Sequence, residues 1–183
     1  MLLNCWTGLY MHTAGEFTVD KVDASHNFNI GAEVAFCGDS SITNSAFRAP
    51  LANGIAIEVV GSTASGGCGL RIINNKLQST SASGTIAILV DGLVANTPAD
   101  LLIMGNSIES FATAISLVKG STTAFTNIQI IGNQFGGNIP LCLTTDANSG
   151  WVQNFAFNDN ICFFTGSNGA ALNAALAKFD MKN

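Results

Sequence analysis

The sequence LRIINNKL, from Leu70 to Leu77, returns twice further along the chain, as LLIMGNSI (101–108) and IQIIGNQF (128–135). Each copy follows the pattern apolar-x-apolar-x-x-Asn-x-apolar. The asparagines of the three copies, Asn75, Asn106 and Asn133, are 31 and 27 residues apart, and a fourth copy contains Asn160. A short pattern that recurs at intervals of this length indicates a solenoid, in which each repeat stacks on the previous one.

A second pattern, of alternating apolar residues, recurs at nearly the same intervals. It reads IAIEV (55–59), IAILV (86–90), TAISL (113–117) and IPLCL (139–143). The alanines at 56, 87 and 114 each precede a repeat asparagine by 19 residues, so insertions fall in only one sector of the repeat. Two short strands and turns rich in Gly, Asn and Ser within 26–31 residues predict an all-β fold, a parallel β-helix.

In a β-helix, equivalent residues of successive coils stack about 4.8 Å apart, which favours columns of β-branched side chains. We therefore expect Ile57, Ile88, Ile115 and Leu141 to form one inward column. The repeat asparagines, with Asn160 as the fourth, are expected at bends, because Asn tolerates the left-handed backbone conformation. Their stacked amides can also hydrogen-bond from coil to coil, so we assign them a structural role.

The alternate positions of the same strands are expected to face outward, and they are small and largely apolar for a solvent face. They comprise Ala56, Glu58, Val60, Ala87, Leu89, Asp91, Ala114, Ser116, Val118, Pro140, Cys142 and Thr144. An exposed apolar strip of this size is typical of a protein interface. It favours burial against another subunit, most simply in a symmetric homotrimer. A covering loop of the same chain is the alternative.

The repeat is strong only in the middle of the chain. We expect irregular N-terminal coils over 1–33, continuing from a longer chain, regular coils over 34–166, and a capping segment over 167–183. Two stretches, Val34–Asp39 and Ile42–Phe47, each fit half of the asparagine pattern, and the sequence leaves that choice open. Spacing of apolar residues over 170–179, ending at Phe179, predicts a short amphipathic helix that covers the last coil.

Composition excludes several classes of function. Charged residues are 10% of the chain and the net charge is −5, with seven scattered cations, which argues against binding nucleic acid. Apolar runs are too short to predict insertion into a membrane. The N-terminus lacks a basic segment before its apolar residues, so we expect no signal peptide.

The cysteines and histidines are not spaced like metal ligands. Five widely separated cysteines are expected to act as small apolar fillers in a protein folded in a reducing cytoplasm, with a disulfide or metal framework as the alternative. His12 and His26 have no neighbour at ligand spacing. Phosphate-loop, zinc-protease and EF-hand motifs are missing from the sequence, and the glycine-rich stretch from 61 to 69 is expected to be a loop. We expect no metal and no cofactor.

Two acids can be placed relative to each other by the repeat. Glu58 and Asp91 fall on the same outward face of adjacent coils, about 8 Å apart at the backbone. Glycosidases use carboxyl groups about 5–9.5 Å apart, and apolar surroundings raise a carboxyl pKa toward that of a general acid. We therefore assign Glu58 and Asp91 as candidate catalytic residues. They could instead pair with an arginine such as Arg48 or Arg71.

Three further residues are candidates for substrate binding. Glu109 follows a repeat asparagine, and Asp146 lies in a loop of Thr, Asp and Asn. Trp151 could stack on a sugar ring, or it could begin the next strand.

The asparagine-containing turns at 70–77, 101–108 and 128–135 resemble those of right-handed parallel β-helices in the pectate-lyase-like superfamily. Within that superfamily the chain most resembles a phage tailspike, on its apolar outer strip, its unpaired cysteines and its open N-terminal end. The resemblance implies a homotrimer in the virion tail that recognises, and can hydrolyse, bacterial capsule or lipopolysaccharide. A stand-alone polysaccharide lyase or hydrolase and a non-catalytic shaft or adhesin remain alternatives. The calcium-binding acid cluster of pectate lyases is missing from this sequence.

Overall fold

The computed structural model describes residues 6–12, 15–25, 29–35, 38–49, 51–60, 69–80, 83–92, 99–118, 125–137, 139–145, 152–163, 170–173 and 179–180. These residues form twenty short strands and no helix. The strands, in chain order, are β1 (Thr7–His12), β2 (Thr18–Asp20), β3 (Asp23–Ala24), β4 (Ile30–Ala35), β5 (Ser40–Thr43), β6 (Ala46–Ala49), β7 (Ile55–Val60), β8 (Leu70–Ile73), β9 (Lys76–Ser79), β10 (Ile86–Asp91), β11 (Ala99–Met104), β12 (Ser107–Glu109), β13 (Thr113–Val118), β14 (Phe125–Ile131), β15 (Gln134–Gly136), β16 (Leu141–Thr145), β17 (Val152–Asn158), β18 (Ile161–Cys162), β19 (Ala170–Asn173) and β20 (Phe179–Asp180).

The strands assemble into three parallel sheets, each built from every third strand of the chain. Sheet A has the order β1-β4-β7-β10-β13-β16-β19, sheet B has β2-β5-β8-β11-β14-β17-β20, and sheet C has β3-β6-β9-β12-β15-β18. Each coil thus contributes one strand to each sheet in turn. The predicted all-β parallel solenoid is confirmed.

The interior is filled by columns of apolar side chains, one residue from each coil. Ile57, Ile88 and Ile115 lie in one such column and are fully buried, as the sequence predicts. The next coil departs from the expected register, because Leu143 and not Leu141 pairs with Ile115. The apolar alternation at 139–143 fits the repeat in two registers, and Pro140 cannot donate a ladder hydrogen bond. The strand therefore begins at Leu141, after the proline.

A column of small residues that we expected on the surface lies inside. Ala56, Ala87 and Ala114 are completely buried, and Cys142 is 1% exposed. Gly31 occupies the same column, and a Cβ added there would lie 3.2 Å from the Phe47 ring in the core. The paired residues of the sheet A strands lie on either side of this column. In each strand the residue in the column and the residue that follows it are both buried. The apolar outer strip predicted from the sequence is correspondingly smaller, and Pro140 is exposed outside the strands.

The repeat asparagines form the predicted ladder between sheets B and C. The side-chain amide of Asn106 donates to Ile72 O (2.9 Å) and to Asn133 Oδ1 (2.9 Å), and its backbone amide also donates to Asn133 Oδ1 (3.0 Å). Asn75 and Asn133 make the equivalent bonds one coil earlier and one coil later. Because buried amides must be hydrogen-bonded, each asparagine holds two coils in register.

The left-handed residue at this bend is the one before each asparagine, which differs from our expectation. Positive φ values occur at Asn44, Asn74, Gly105, Gly132 and Asp159. The expected position was one residue too late, because the repeat asparagines are selected for hydrogen bonding and their neighbours for backbone conformation. The open choice upstream is also settled, since Ser45 of the Ile42–Phe47 stretch occupies the ladder, and its backbone amide donates to Asn75 Oδ1 (2.9 Å).

Both ends of the described chain continue the stack. Strands β1, β2 and β3 pair with β4, β5 and β6, so the segment with the weakest repeat also contributes to all three sheets. At the other end, Ala170–Asn173 and Phe179–Asp180 are strands that extend sheets A and B. The predicted helix over 170–179 is therefore wrong for five of its residues, 170–173 and 179, and apart from these and Asp180 the 167–183 segment lies outside the described residues. Short strand pairings override a helical spacing of apolar residues here, because the open edges of sheets A and B offer backbone partners.

Candidate functional site: an acid cluster on sheet A

The outward face of sheet A carries two neighbouring columns with most of its ionisable groups. The register places Tyr10, Glu33 and Glu58 in one column, on the consecutive strands β1, β4 and β7. The second column contains His12 on β1 and Asp91 on β10. We call His12, Glu33, Glu58 and Asp91 the acid cluster.

An ion pair and a ring stack organise one end of the cluster. His12 Nε2 donates to Glu33 Oε1 at 2.7 Å, and the Glu33 side chain is only 17% exposed. The Tyr10 ring stacks on the His12 ring with a centroid distance of 4.0 Å and an interplanar angle of 11°. Tyr10 is 63% exposed, so one face of an aromatic platform is open beside the carboxylates.

Glu58 has an unusual protonation equilibrium. Burial, together with the negative charges of Glu33 and Asp91, raises the pKa of its carboxyl from 4.5 to about 7. Partial burial disfavours the charged form, and two like charges nearby add to that effect. A protonated Glu58, which can donate a proton, is therefore populated near neutral pH.

The strand register gives the backbone offsets between the three acidic residues of the cluster. Glu33 and Glu58 are direct neighbours on adjacent strands, about 4.8 Å apart at the backbone. Asp91 pairs with Val60, one strand and two residues from Glu58, which gives a backbone offset of about 8 Å. From these backbone offsets the flexible side chains can bring the carboxyl groups to the roughly 5–5.5 Å of retaining glycosidases, for Glu33 and Glu58, or to the roughly 6.5–9.5 Å of inverting ones, for Glu58 and Asp91.

The structure brings together only some of the residues that the sequence singled out. Glu58 and Asp91 share one face and interact electrostatically. Glu109 lies on β12 in sheet C, where its Oε1 accepts a hydrogen bond from Ser107 Oγ (3.3 Å), away from the cluster. Asp146 and Trp151 lie outside the described residues. Arg48 and Arg71 lie on β6 and β8, in sheets C and B, and so are not on the face of Glu58.

Sequence reasoning missed Glu33 and His12, although a signal was present. The segment IGAEVA (30–35) repeats IAIEVV (55–60) residue by residue, with glutamate at the same position. Ala32 and Ala35 stand where the later segment has Ile57 and Val60, and this loss of large side chains hid the repeat. The pairing of the two segments places Glu33 beside Glu58. His12 had no detectable repeat context, because its coil contributes Leu9 and Met11 in place of the usual buried residues.

A second polar site lies on sheet B. A groove of about 270 Å³ is lined by Gly69, Leu101, Leu102 and five polar side chains, namely Asp39, Arg71, Asp100, Asn127 and Gln129. Gly69 lies close to one of these acids, because a Cβ there would lie 2.5 Å from Asp39 Oδ1. Asn127 Nδ2 donates to Asp100 Oδ1 (2.6 Å), and both residues have positive φ. We call this the sheet B groove.

Neither a group of metal ligands nor a membrane-spanning helix occurs in the described part of the chain. No three His, Cys, Asp or Glu side chains among those residues are grouped as metal ligands would be. No helix long and apolar enough to cross a membrane occurs within the same residues.

The sequence was also compared with known proteins. Neither the protein-family models nor the curated proteins contain a match to this chain.

Proposed function

We propose that this protein binds a bacterial surface polysaccharide and hydrolyses its glycosidic bonds at the acid cluster. The observation that carries the proposal is the Glu58 carboxyl, which has a pKa of about 7 and stands between two other carboxylates. A general acid works best when its pKa is near the working pH. Glycoside hydrolysis needs such an acid together with a second carboxylate at about 5–9.5 Å.

In the proposed reaction Glu58 gives its proton to the oxygen of the leaving sugar. Asp91, about 8 Å away, has room to activate a water molecule on the opposite face of the sugar ring. Glu33 is closer and could attack the sugar directly, which would lead to retention of configuration. The two routes give opposite anomers of the new reducing end, so the first product observed by NMR identifies the second carboxylate.

The ring stack supports the same assignment. Sugar rings present apolar C–H faces that pack on aromatic rings, while their hydroxyl groups need hydrogen-bond partners. Tyr10 offers an exposed ring beside the carboxylates, held in place by stacking on His12. A platform next to a proton donor would position the scissile bond.

The proposal includes a tailspike-type particle, meaning a homotrimer in a phage tail. Its support is the resemblance of the turns and the partly buried apolar residues Val60, Leu89 and Val118 on the outward face of sheet A. Because the acid cluster occupies that same face, a trimer would place the site near a boundary between subunits. Light scattering tests this part, since a monomer in solution would contradict the trimer and leave the catalytic proposal standing.

A non-catalytic adhesin is the second candidate, and the sheet B groove favours it. The groove combines hydrogen-bond donors on Arg71 and Gln129 with acceptors on Asp39 and Asp100. Such a mixture suits the hydroxyl groups of a neutral sugar better than a polyanion. If the groove is the main site, Arg71→Ala abolishes polysaccharide binding and no hydrolysis is seen.

The test is incubation with capsule and lipopolysaccharide from a panel of bacterial strains, with measurement of new reducing ends. On the substrate that is cleaved, Glu58→Gln should lower the rate by at least about 100-fold, the low end of general acid–base contributions. The same loss is expected for Asp91→Asn if the product is inverted, and for Glu33→Gln if it is retained. Glu109→Gln is the matched control, because it makes the same change on another sheet and should keep full activity. Full activity in Glu58→Gln would refute the role of the acid cluster.

A further inference from the structure

A column of sheet A and a column of sheet C face each other across the interior. The contact is direct in the second coil, where a Cβ added to Gly31 would lie 3.2 Å from Phe47 Cδ1. The ladder registers carry this relation to every later coil. The facing residues of successive coils are Gly31 and Phe47, Ala56 and Leu77, Ala87 and Ile108, Ala114 and Phe135, and Cys142 and Cys162.

Residue size is complementary in these pairs. A glycine or alanine on sheet A faces a large side chain on sheet C in four successive coils, and all of these alanines and large residues are completely buried. In the last complete coil both of the facing residues are cysteines. The space that elsewhere holds one large side chain there holds two thiols.

The two thiols are in contact. The Cys142 thiol, which is buried, donates a hydrogen bond to the sulfur of Cys162, which is half-buried. This bond raises the pKa of Cys142, and burial raises it further. The same bond lowers the pKa of Cys162, because it stabilises the Cys162 thiolate. Cys162 lies on β18, the edge strand of sheet C at this end of the stack.

We infer that Cys142 and Cys162 are a redox modification site that closes to an intrachain disulfide in the last complete coil. The oxidant is a small disulfide such as glutathione disulfide. The more accessible Cys162 thiolate attacks one of its sulfurs, forms a mixed disulfide and releases one glutathione thiolate. Cys142 then loses its proton to solvent and attacks the Cys162 sulfur, which expels the second glutathione.

The disulfide would fasten sheet A to sheet C at the end of the stack. It would join β16 to β18 and enclose β17 in the loop between the two cysteines. A disulfide that closes a loop of this length restricts the unfolded chain and so stabilises the folded one. The site would thus make the terminal coil more resistant to unfolding once the protein reaches an oxidising medium, independently of any activity toward polysaccharide.

The test compares protein held in dithiothreitol with protein equilibrated with glutathione disulfide. After alkylation and digestion without reductant, mass spectrometry should find the peptides of Cys142 and Cys162 joined and lighter by two hydrogen atoms. The matched control replaces Cys5, Cys37 and Cys68 with serine, and it should form the same link. If Cys142 and Cys162 are both recovered as separate alkylated peptides after equilibration, the inference is overturned. A disulfide from either of them to any other cysteine would overturn it too.

A second experiment distinguishes a redox-active pair from two cysteines that only fill space in the core. In Cys142→Ala, the Cys162 thiol should retain a stable mixed disulfide with glutathione, because the resolving thiol is gone. Oxidation should raise the Tm of the wild-type protein and leave the Tm of Cys162→Ala unchanged. Equal Tm values for the oxidised and reduced wild-type protein would contradict the stabilising role.

Discussion

The raised pKa of Glu58 makes the free energy of unfolding depend on pH, and Glu58→Gln should remove the part of that dependence that comes from Glu58. A carboxyl whose folded pKa is raised from 4.5 to about 7 keeps its proton longer in the folded state than in the unfolded one. Between these two values the unfolded chain binds fewer protons than the folded chain. The free energy of unfolding therefore falls as pH rises through that window and is constant above it.

The magnitude follows from the size of the shift. Each pKa unit corresponds to about 1.36 kcal/mol, so the change from 4.5 to about 7 sets an upper value of about 3.4 kcal/mol. Glu58 is only about half buried, and solvent screens such interactions, which reduces the expected loss to about 1–2 kcal/mol. Gln has nearly the same shape as Glu but carries no charge, so the variant should lack this part of the loss at every pH.

The assay is urea unfolding at pH 4.5, 6 and 8, with wild type and Glu58→Gln measured side by side. The variant should be more stable than wild type by about 1–2 kcal/mol at pH 8 and nearly equal to it at pH 4.5. Glu109→Gln controls for loss of a carboxylate elsewhere on the surface. A difference between wild type and Glu58→Gln that is the same at all three pH values would refute the reasoning.

The remaining predictions concern the coil ladder, the core and the groove. Asn106→Ala should lower the free energy of unfolding by about 2–4 kcal/mol, because it leaves the buried Asn75 amide and the Ile72 carbonyl without partners. Gln134→Ala, at an exposed position beside the ladder, should cost less than about 1 kcal/mol; thermal denaturation compares the two, and equal losses would contradict the role of the ladder. Ile88→Ala should cost about 2–5 kcal/mol in the same assay, since Ile88 is completely buried in the middle of its column, and a loss below about 1 kcal/mol would contradict the packing. Gly69→Ala should displace the Asp39 carboxylate and weaken sugar binding in the sheet B groove, measured by calorimetry on the polysaccharide that the protein binds; unchanged affinity would exclude the groove as the binding site.

The fold could be predicted because a solenoid repeats its constraints in every coil. The repeat asparagines must hydrogen-bond to the next coil, so their interval records the length of each turn. Large inward residues such as Ile57 and Ile88 mark the strands in the same way. A constraint that recurs four times is visible in one sequence without any comparison.

The errors arose where the constraint is local. Small residues such as Ala56 fit either a crowded interior or an exposed surface, and only the large side chain opposite, here Leu77, decides between them. Pro140 shifted the register of one strand by two residues because the apolar alternation around it is symmetric under that shift. The terminal segment at 170–173 joins sheet A because an open strand edge is available, which a helical spacing of apolar residues does not reveal.

The candidate site was half predictable for a related reason. Glu58 and Asp91 lie in well-formed repeats, so their relative position followed from the register. Glu33 lies in a degraded repeat and His12 in one with no sequence signature, so their contact with the site depends on pairings that only the structure provides. The sheet B groove contains Asp39 and Asp100, which the repeat pattern did not single out as site residues.

The proposed general acid is a Glu58 carboxyl that keeps its proton near neutral pH, and the most direct test is a titration of that carboxyl. The ¹³C chemical shift of the Glu58 side-chain carboxyl, assigned by its loss in Glu58→Gln, can be followed by NMR from pH 3 to pH 9. The titration midpoint of the Glu58 carboxyl is expected near 7. A midpoint near 4.5, the ordinary value for a glutamate, would contradict it and remove the proposed general acid.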